Sequence, residues 1–356
     1  MTAVTRCDVL VAGGGSAGLA AAVAAARSGA RTLLVEWHGT LGGMATAALV
    51  HSVCGLYLLR EDPGAVPANP GFATELAERL LALGGAWGPV RMGRVDVLPH
   101  RPAAFARAAD ELACATPDLE VRFHSAVVGV EGTASVEAVD LSCRGVRERV
   151  VPRCVVDASG DAVVFALLGA RFEMEASERL QRPAFVFLLE GVADGALAEQ
   201  RRLALAHRLA SAVRAGALPD GALGASLRAT DRAGEAYVTI DLAGPPGATY
   251  DPTDPRCLAA LEVHGRALAA TLVDYLRAEA DGFARCWIAA LPARVGIRES
   301  RRALGERRIE TSDVEQGATF ADAVALATWP MEMREQPTGP RLRFPRDGRP
   351  TQIPLG

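Results

Sequence analysis

The amino-terminal part of the chain alternates between short apolar runs and glycine-rich turns. An apolar run bounded at once by glycines predicts a buried strand over residues 7–12. The alanine-rich stretch that follows predicts a helix over residues 19–28, with Gly29 as its C-terminal cap. A second apolar run predicts a strand over residues 32–35, and Glu36 follows it directly. The predicted order is therefore strand, glycine turn, helix, strand and acid.

The same patterns continue along the rest of the chain. Apolar residues at helical spacing predict further helices over residues 70–83, 102–113, 199–214 and 257–280. Alternating or continuous apolar runs predict strands over residues 121–130, 136–143, 185–189 and 236–242. Gly132, between the first two of these strands, predicts a hairpin.

These elements place the chain in the α/β class. Its 356 residues are enough for about two domains. We expect a Rossmann-like nucleotide-binding domain with a mixed central sheet over residues 1–170, including a small β excursion at about residues 120–150. A second, α+β substrate domain is expected over residues 171–290, followed by a segment, residues 291–356, that returns toward the first domain.

The first glycine turn carries a G-x-G-x-x-G pattern between the predicted strand and helix. In such a motif Gly13 permits the tight turn, Gly15 lets the backbone approach a pyrophosphate, and Gly18 allows close helix–strand contact. The first helical residues, Ser16 and Ala17, lie where free N–H groups and the helix dipole favour phosphate. This motif predicts a dinucleotide site.

Glu36 lies 18 positions after Gly18, at the end of the second predicted strand. A carboxylate in this place accepts hydrogen bonds from a ribose diol and disfavours a 2′-phosphate, so NADP is the least favoured ligand. A glycine-rich turn in an ordinary α/β protein is the structural alternative. The agreement of strand, turn, helix, strand and acid favours the dinucleotide site.

A second glycine turn follows the acid at once, and residues 42–46 are Gly-Gly-Met-Ala-Thr. An NAD-binding domain normally continues into another helix here. Small residues and glycines instead allow the backbone to run close along a ribityl chain toward an isoalloxazine ring. This turn predicts FAD as the cofactor, in contact with Trp37, Gly42, Gly43, Met44 and Ala45.

Residues 8–46 resemble the start of FAD-dependent oxidoreductases of the glutathione-reductase-like superfamily, which includes the fumarate reductase flavoproteins. Residues 155–161, 294–302 and 320–324 are similar to later motifs of that group. The resemblance implies that Gly160 and Asp161 return to the cofactor, where the carboxylate binds a ribityl hydroxyl or a water. It also implies a backbone contact from Val127 to adenine. On the residues alone, a plain strand-ending turn is the favoured interpretation of the glycine–aspartate pair.

The resemblance implies hydride or electron transfer on a small organic or biosynthetic substrate, with or without oxygen as a second substrate. The flavin carries such chemistry, so the protein supplies placement and electrostatics. Two other functions stay open: an NAD-linked dehydrogenase, and a non-catalytic nucleotide-binding subunit or scaffold.

His51 is the first catalytic candidate, because it follows the second glycine turn and an imidazole relays protons near neutral pH. Its alternative is a place in the core. Arg298 is the second candidate, together with Arg294, because a guanidinium binds a substrate carboxylate or offsets charge near a reduced flavin. A structural ion pair with Glu299 explains these arginines equally well.

Composition removes several function classes. The net charge of −4 is spread along the chain, which argues against nucleic-acid binding. The chain has no lysine, which excludes a Schiff-base mechanism. Seven scattered cysteines without a C-x-x-C spacing predict neither a disulfide framework nor a zinc site, and we expect no metal. Glycines and arginines interrupt the apolar stretch of residues 9–35, so we expect a cytoplasmic protein with no membrane contact.

The carboxyl-terminal end raises a further expectation. Proteins of the group that this chain resembles continue with another strand, ending in Gly-Arg, and a helix that closes over the flavin. We therefore expect a truncated sequence, a partner or homo-oligomer that completes the flavin pocket, or the loss of part of that pocket.

Overall fold

A computed structural model describes residues 4–62, 64–133, 135–336 and 339–355. The elements of its first half are β1 (Val4–Ala12), α1 (Ser16–Arg27), β2 (Thr32–Val35), β3 (Ser52–Val53), α2 (Phe72–Ala82), β4 (Val90–Met92), β5 (Val95–Pro99), α3 (Pro102–Cys114), β6 (Leu119–Arg122), β7 (Ala126–Gly132), β8 (Val136–Cys143), β9 (Val146–Asp157), α4 (Val163–Leu168) and β10 (Phe172–Glu173).

The elements of its second half are β11 (Ala184–Glu190), α5 (Glu199–Arg214), β12 (Ser226–Ala229), β13 (Ala236–Asp241), α6 (Pro255–Glu279), β14 (Trp287–Ala290), β15 (Arg302–Ala303), α7 (Thr311–Gln316), β16 (Ala323–Ala327), β17 (Met331–Met333), β18 (Arg341–Arg343) and β19 (Thr351–Pro354).

The first sheet has six strands in the order β6-β2-β1-β9-β8-β7. The neighbours from β6 to β9 pair in parallel, and β9, β8 and β7 form an antiparallel meander. This arrangement confirms the predicted α/β class with a mixed central sheet. The meander includes the predicted hairpin at Gly132.

The parallel strands are covered on both faces. Leu10 and Leu33 cluster with Val139 of the meander, whereas Val11 and Leu34 cluster with apolar residues of α1 and α3. Because neither face meets water there, residues 9–12 of β1 and 33–35 of β2 are all apolar, which explains the short continuous runs in the sequence, whereas the start of β1 contains Thr5, Arg6 and Asp8.

The prediction of one strand over residues 121–130 is wrong. The chain forms β6, then turns at His124, whose φ is +53°, and starts β7 at residue 126. The backbone N–H groups of His124 and Ser125 donate to the carbonyls of His38 and Glu36 across this turn. The polar pair His124-Ser125 interrupts the apolar alternation here, but one such pair is a weak signal for a turn.

The second sheet has the order β12-β13-β11-β14, and all of its neighbours are antiparallel. One face packs on α6, where Phe185, Phe187 and Ile240 cluster with Leu261 and Leu272. The side chain of Asp254 caps α6 by accepting from the Arg256 N–H at 2.8 Å, and Pro255 fills its first turn. The predicted helix at residues 199–214 is confirmed, and that at 257–280 lies within two residues of α6.

Later parts of the chain return to earlier ones. β15 pairs with β10, and Gly296 exchanges two backbone hydrogen bonds with Ala184, at 2.7 and 2.8 Å. Within the described ranges, no helix combines the length and the apolar character that a membrane crossing requires.

Gly265 gives a test of the packing between α6 and the second sheet. A Cβ at this buried position lies 2.3 Å from Cδ2 of Phe185. We expect Gly265→Ala to lower the free energy of unfolding by about 1–2 kcal/mol, because the overlap outweighs the better helix propensity of alanine. Denaturant unfolding measures the change.

The matched control is Ala259→Gly, at an exposed position of the same helix. This variant reports propensity alone and is expected to cost about 1 kcal/mol. A Gly265→Ala protein that is more stable than the wild type contradicts the described packing.

Candidate functional site

A cavity of about 440 Å³ opens at the carboxyl ends of β1, β2 and β9. In open α/β sheets this edge is where ligands bind. The lining residues are Ala12, Gly13, Gly15, Ser16, Ala17, Val35, Glu36, Trp37, His38, Gly42, Gly43, Met44, Ser125, Ala126, Val127, Ala158, Ser159, Gly160, Asp161, Val163 and Arg294.

The three motif glycines have different surroundings. Gly13 has φ +103°, and a Cβ there lies 2.4 Å from the carbonyl oxygen of Ala158. A Cβ at Gly18 lies 1.8 Å from the carbonyl oxygen of Gly13. Both positions therefore require glycine for the fold. At Gly15, by contrast, φ is −68° and a Cβ meets no atom within 4 Å.

The N-terminus of α1 faces this cavity, and Ser16 and Ala17 line it. Among the described residues no side chain caps the helix at Gly15, and its first turn contains no acidic residue. The N–H groups at a helix N-terminus attract phosphate oxygens. The room at Gly15 and this helix end fit a pyrophosphate.

The second glycine turn docks on the first. The Gly42 N–H donates to the carbonyl of Gly14 at 2.8 Å, and a Cβ at Gly43 lies 3.0 Å from the Cα of Gly15. This contact brings Met44 to the cavity wall. The turn that predicted FAD therefore forms the continuation of the phosphate turn.

Glu36 is 4% exposed and lines the cavity. Its Oε2 accepts from the Gly14 N–H at 2.7 Å, and its Oε1 accepts from the His38 N–H at 2.8 Å. A carboxylate has about four acceptor sites, so capacity for a ribose diol remains. Glu36 also fixes the conformation of both turns, a role that the sequence pattern does not show.

All but two of the predicted cofactor residues line the cavity. Gly18 packs against the first turn, and Ala45 lies in a core cluster with Leu76, Leu80 and Phe105. Neither residue lines the cavity, although both lie directly behind residues that do.

The cavity also contains polar residues that the pattern analysis does not identify, among them His38, Ser125 and Ser159. Ser159 donates from Oγ to Asp157 at 2.6 Å and accepts from the Val163 N–H at 3.0 Å. The Asp-x-Ser spacing after a strand is a local signal for such a turn.

Asp161 joins two of the sequence motifs. Its Oδ1 accepts from the hydroxyl of Ser300 at 2.6 Å, and its backbone carbonyl accepts from Nε of Arg301 at 2.9 Å. The stretches at residues 155–161 and 294–302 are therefore in contact, although the second sheet separates them in sequence.

His51 lies outside the cavity lining. Its ring stacks on that of Tyr237, with centroids 4.3 Å apart and an interplanar angle of 11°. Burial lowers the pKa of His51 to about 4, so the ring is neutral at pH 7. The His51 carbonyl accepts from the N–H of His100, whose pKa burial also lowers to about 4.

Arg298 also lies outside the cavity lining. Its Nη2 donates to Oδ1 of Asp241 at 2.7 Å, and its Nε donates to the carbonyl of Arg182 at 2.9 Å. The suggested ion pair of Arg298 with Glu299 is wrong, because Glu299 pairs with Arg302 at 3.0 Å. Arg294, in contrast, lines the cavity itself.

Comparison with protein families gives one match. The model of the FAD-dependent oxidoreductase family matches residues 8–356. No curated protein sequence matches the chain. The site fits this cofactor, because the room at Gly15, the uncapped helix and the buried acid are the features that a dinucleotide uses.

Three solved structures are similar to the chain at low identity. p-Nitrophenol 4-monooxygenase PnpA from Pseudomonas putida DLL-E4 has 13% identity and a TM-score of 0.49 over 86% of this chain and 71% of that one. CabE, an aromatic hydroxylase from angucycline biosynthesis, has 14% identity and a TM-score of 0.49, and the match covers 85% of this chain and 54% of CabE.

The flavin-dependent monooxygenase PieE, solved in complex with FAD and substrate, has 20% identity and a TM-score of 0.44. The match covers 86% of this chain and 51% of PieE. The chain thus spans between about half and 71% of the length of these proteins. At this level of similarity they carry no argument about its substrate.

Gly15→Val tests the site, because it separates binding from folding. No chain atom lies within 4 Å of the Cβ position, so we expect the free energy of unfolding to stay within about 0.5 kcal/mol of the wild type. The added side chain fills the pyrophosphate space, and quenching of FAD fluorescence is expected to disappear. Retained FAD affinity would place the cofactor elsewhere.

Gly18→Val is the matched control, since its Cβ meets the Gly13 carbonyl. This variant is expected to lose stability as well as binding. Equal stability losses in both variants would show that Gly15 serves the fold rather than the ligand.

Two buried histidines give a test by pH. Because the folded-state pKa values of His51 and His100 lie near 4, below the ordinary 6.5, the unfolded chain binds more protons between these values. The stabilising effect is complete above pH 6.5 and is lost as the pH falls toward 4, at about 1.4 kcal/mol per pH unit for each histidine.

Unfolding in denaturant between pH 7 and pH 4 measures this slope. His51→Gln and His100→Gln are each expected to reduce this slope by the contribution of about one proton, which is about 1.4 kcal/mol per pH unit. A slope that neither substitution alters would show that both rings are protonated as easily in the folded as in the unfolded protein.

Proposed function

The chain belongs to the FAD-dependent oxidoreductase family, and we propose that it oxidises a small anionic organic substrate at the face of its second sheet, or hydroxylates one there with dioxygen and an external hydride donor. FAD held in the described cavity would accept the hydride or electrons. The chain's own residues orient the substrate and exclude water. Family membership supports neither the NAD-linked dehydrogenase nor the scaffold alternative.

We also propose the finer family placement, in the glutathione-reductase-like superfamily with the fumarate reductase flavoproteins. The order of elements supports it. A parallel βαβ unit that begins at Val4–Ala12 is followed by the β7-β8-β9 meander, and the chain then returns to the cofactor cavity at Gly160 and Asp161.

The face of the second sheet opposite α6 lies next to the cofactor cavity. Ala184 at the start of β11 is bonded to Gly296, and a Cβ at Gly296 lies 2.9 Å from Cε of the cavity residue Met44. Side chains alternate along a strand, so Tyr237 and Asp241 of β13 share this face with Ala184. A substrate held on this face is close to the end of the cavity that Met44 forms.

Arg228 is the observation that carries the proposed substrate charge. It is opposite Tyr237 in the strand register and is half-buried, and within the described ranges it forms no ion pair. Burying a guanidinium without an anion is unfavourable, so an anionic ligand restores the balance. We propose that Arg228 binds a carboxylate or a phenolate of the substrate.

His51 is the proposed polar contact for the substrate on this face, because its ring is stacked on Tyr237 and its Nδ1 faces the carbonyl of Leu49. With its pKa lowered to about 4 the ring is neutral and a weak base, so its proposed role is to accept a hydrogen bond from a substrate hydroxyl rather than the proton itself.

Arg298 is the proposed source of positive charge at the other end of the face. Arg298, Arg334 and Arg182 surround the buried Asp241, which pairs with the first two of them. Arg334 also pairs with Glu332, so three guanidinium groups face two carboxylates. Such a field favours an anion at the substrate position.

The test uses the purified chain with added FAD. We expect quenching of flavin fluorescence, and bleaching of the flavin absorbance by a chemical reductant under anaerobic conditions. Return of the colour in air with consumption of oxygen favours an oxidase or monooxygenase, whereas slow reoxidation favours a dehydrogenase. A chain that does not quench FAD fluorescence would refute the enzyme function and leave the scaffold alternative.

The substrate proposal has its own probes. Benzoate and benzamide have nearly the same shape, and only benzoate is charged. We expect benzoate to perturb the flavin absorbance more strongly than benzamide, and Arg228→Gln to abolish the preference. Arg147→Gln removes an exposed charge on β9 and serves as the control. Equal perturbation by both probes in the wild type would contradict an anionic substrate.

A further inference from the structure

Arg294 belongs to the segment that follows the second sheet, yet its side chain lines the nucleotide cavity. The backbone N–H groups of Ala293 and Arg294 both donate to the carbonyl of Ala47, at 2.8 and 3.2 Å. Two residues later, Gly296 is bonded to Ala184 of β11. The segment is therefore held between the second glycine turn and the second sheet, and the position of Arg294 is fixed by the backbone.

The guanidinium of Arg294 has no anionic partner within the described ranges. Its Nη2 lies 3.6 Å from Sδ of Met44, and a thioether is a weak acceptor. Its Nε is buried without a hydrogen bond. Arg334, in contrast, is also half-buried and is paired with Asp241 and Glu332.

Two carboxylates also line the cavity, and neither pairs with Arg294 in the described part of the chain. Glu36 accepts two backbone N–H groups and Asp161 accepts the hydroxyl of Ser300, so their hydrogen bonds come from neutral donors. His38 contributes a second buried nitrogen without a partner, its Nε2. The N-terminus of α1 adds partial positive charge at the same cavity. Arg294 and this helix end, from two distant parts of the sequence, therefore favour an anion beside them.

We propose that Arg294 binds the pyrophosphate of FAD, together with the N-terminus of α1. This inference rests on FAD as the cofactor of the proposed function. It assigns Arg294 to the cofactor rather than to the substrate carboxylate that the sequence suggested. It also means that the bound dinucleotide connects the glycine turn at residues 13–18 with the segment at residues 293–296.

A competing position for the same charge is the isoalloxazine ring, where a cation stabilises the reduced flavin. The two positions differ in their ligand dependence. ADP contains the pyrophosphate and no flavin, and adenosine contains neither. A pyrophosphate contact affects FAD and ADP alike and leaves adenosine unchanged, whereas a ring contact affects FAD alone.

The experiment measures the binding of FAD, ADP and adenosine by calorimetry or by competition, for the wild type and for Arg294→Gln. We expect FAD and ADP to bind about 10- to 100-fold more weakly to the variant, the range for one charge-assisted contact. Adenosine affinity is expected to stay the same. The ratio of ADP to adenosine affinity is therefore the readout, and a general loss of folding does not reproduce it.

Two further variants sharpen the result. Arg294→Lys keeps the charge without the planar fork, so it is expected to retain part of the ADP affinity. Arg147→Gln removes an exposed charge outside the cavity and is expected to change none of the three affinities.

The proposal is overturned if Arg294→Gln binds ADP as the wild type does, whatever happens to FAD. In that case the proposed function still stands, provided that the wild type binds FAD. A wild-type chain that binds ADP but not FAD overturns both the cofactor and this assignment.

Discussion

The close contact of three backbone turns at one edge of the first sheet is the constraint on which the site depends. Gly13 lies against the carbonyl of Ala158, Gly18 lies against the carbonyl of Gly13, and Gly43 lies against Gly15. A side chain at Gly13 or Gly18 would separate α1 from the strands that it covers. Because these contacts hold the N-terminus of α1 at the sheet edge, the space at Gly15 stays open to the cavity rather than becoming part of the core.

The part of the fold that local sequence determines was predictable for a physical reason. The βαβ unit is built from neighbours in sequence, and its strands, turn and helix each carry their own signal of periodicity or glycine spacing. The same holds for α5, whose boundaries follow from helical spacing alone. The cavity lining at Glu36 and at the Gly42–Met44 turn was predictable because these residues follow the motif directly.

The remainder depends on contacts between distant residues, which no local pattern contains. His51 contacts Tyr237, and Arg298 contacts Asp241. Both pairs are far apart in sequence, and the second sheet brings their members together. The turn at His124 is similar, because hydrogen bonds to residues 36 and 38 stabilise it rather than a turn sequence. Arg294 shows the same limit in another form. Its motif marked it as functional, but only the backbone contact with Ala47 shows which wall of which cavity it reaches.

The chemistry of arginine explains why Arg228 stays charged at neutral pH while the nearby ring of His51 is neutral. Burial lowers the pKa of His51 to about 4 and also lowers the pKa of Arg228. For the imidazole the shift removes the charge at neutral pH. A guanidinium starts so much higher that it stays protonated after a comparable loss of hydration. A lysine in the half-buried position of Arg228 would lose its proton more easily, and the chain contains no lysine. The positive charge of Arg228 is therefore independent of pH over the physiological range, and the nearby ring of His51 stays neutral.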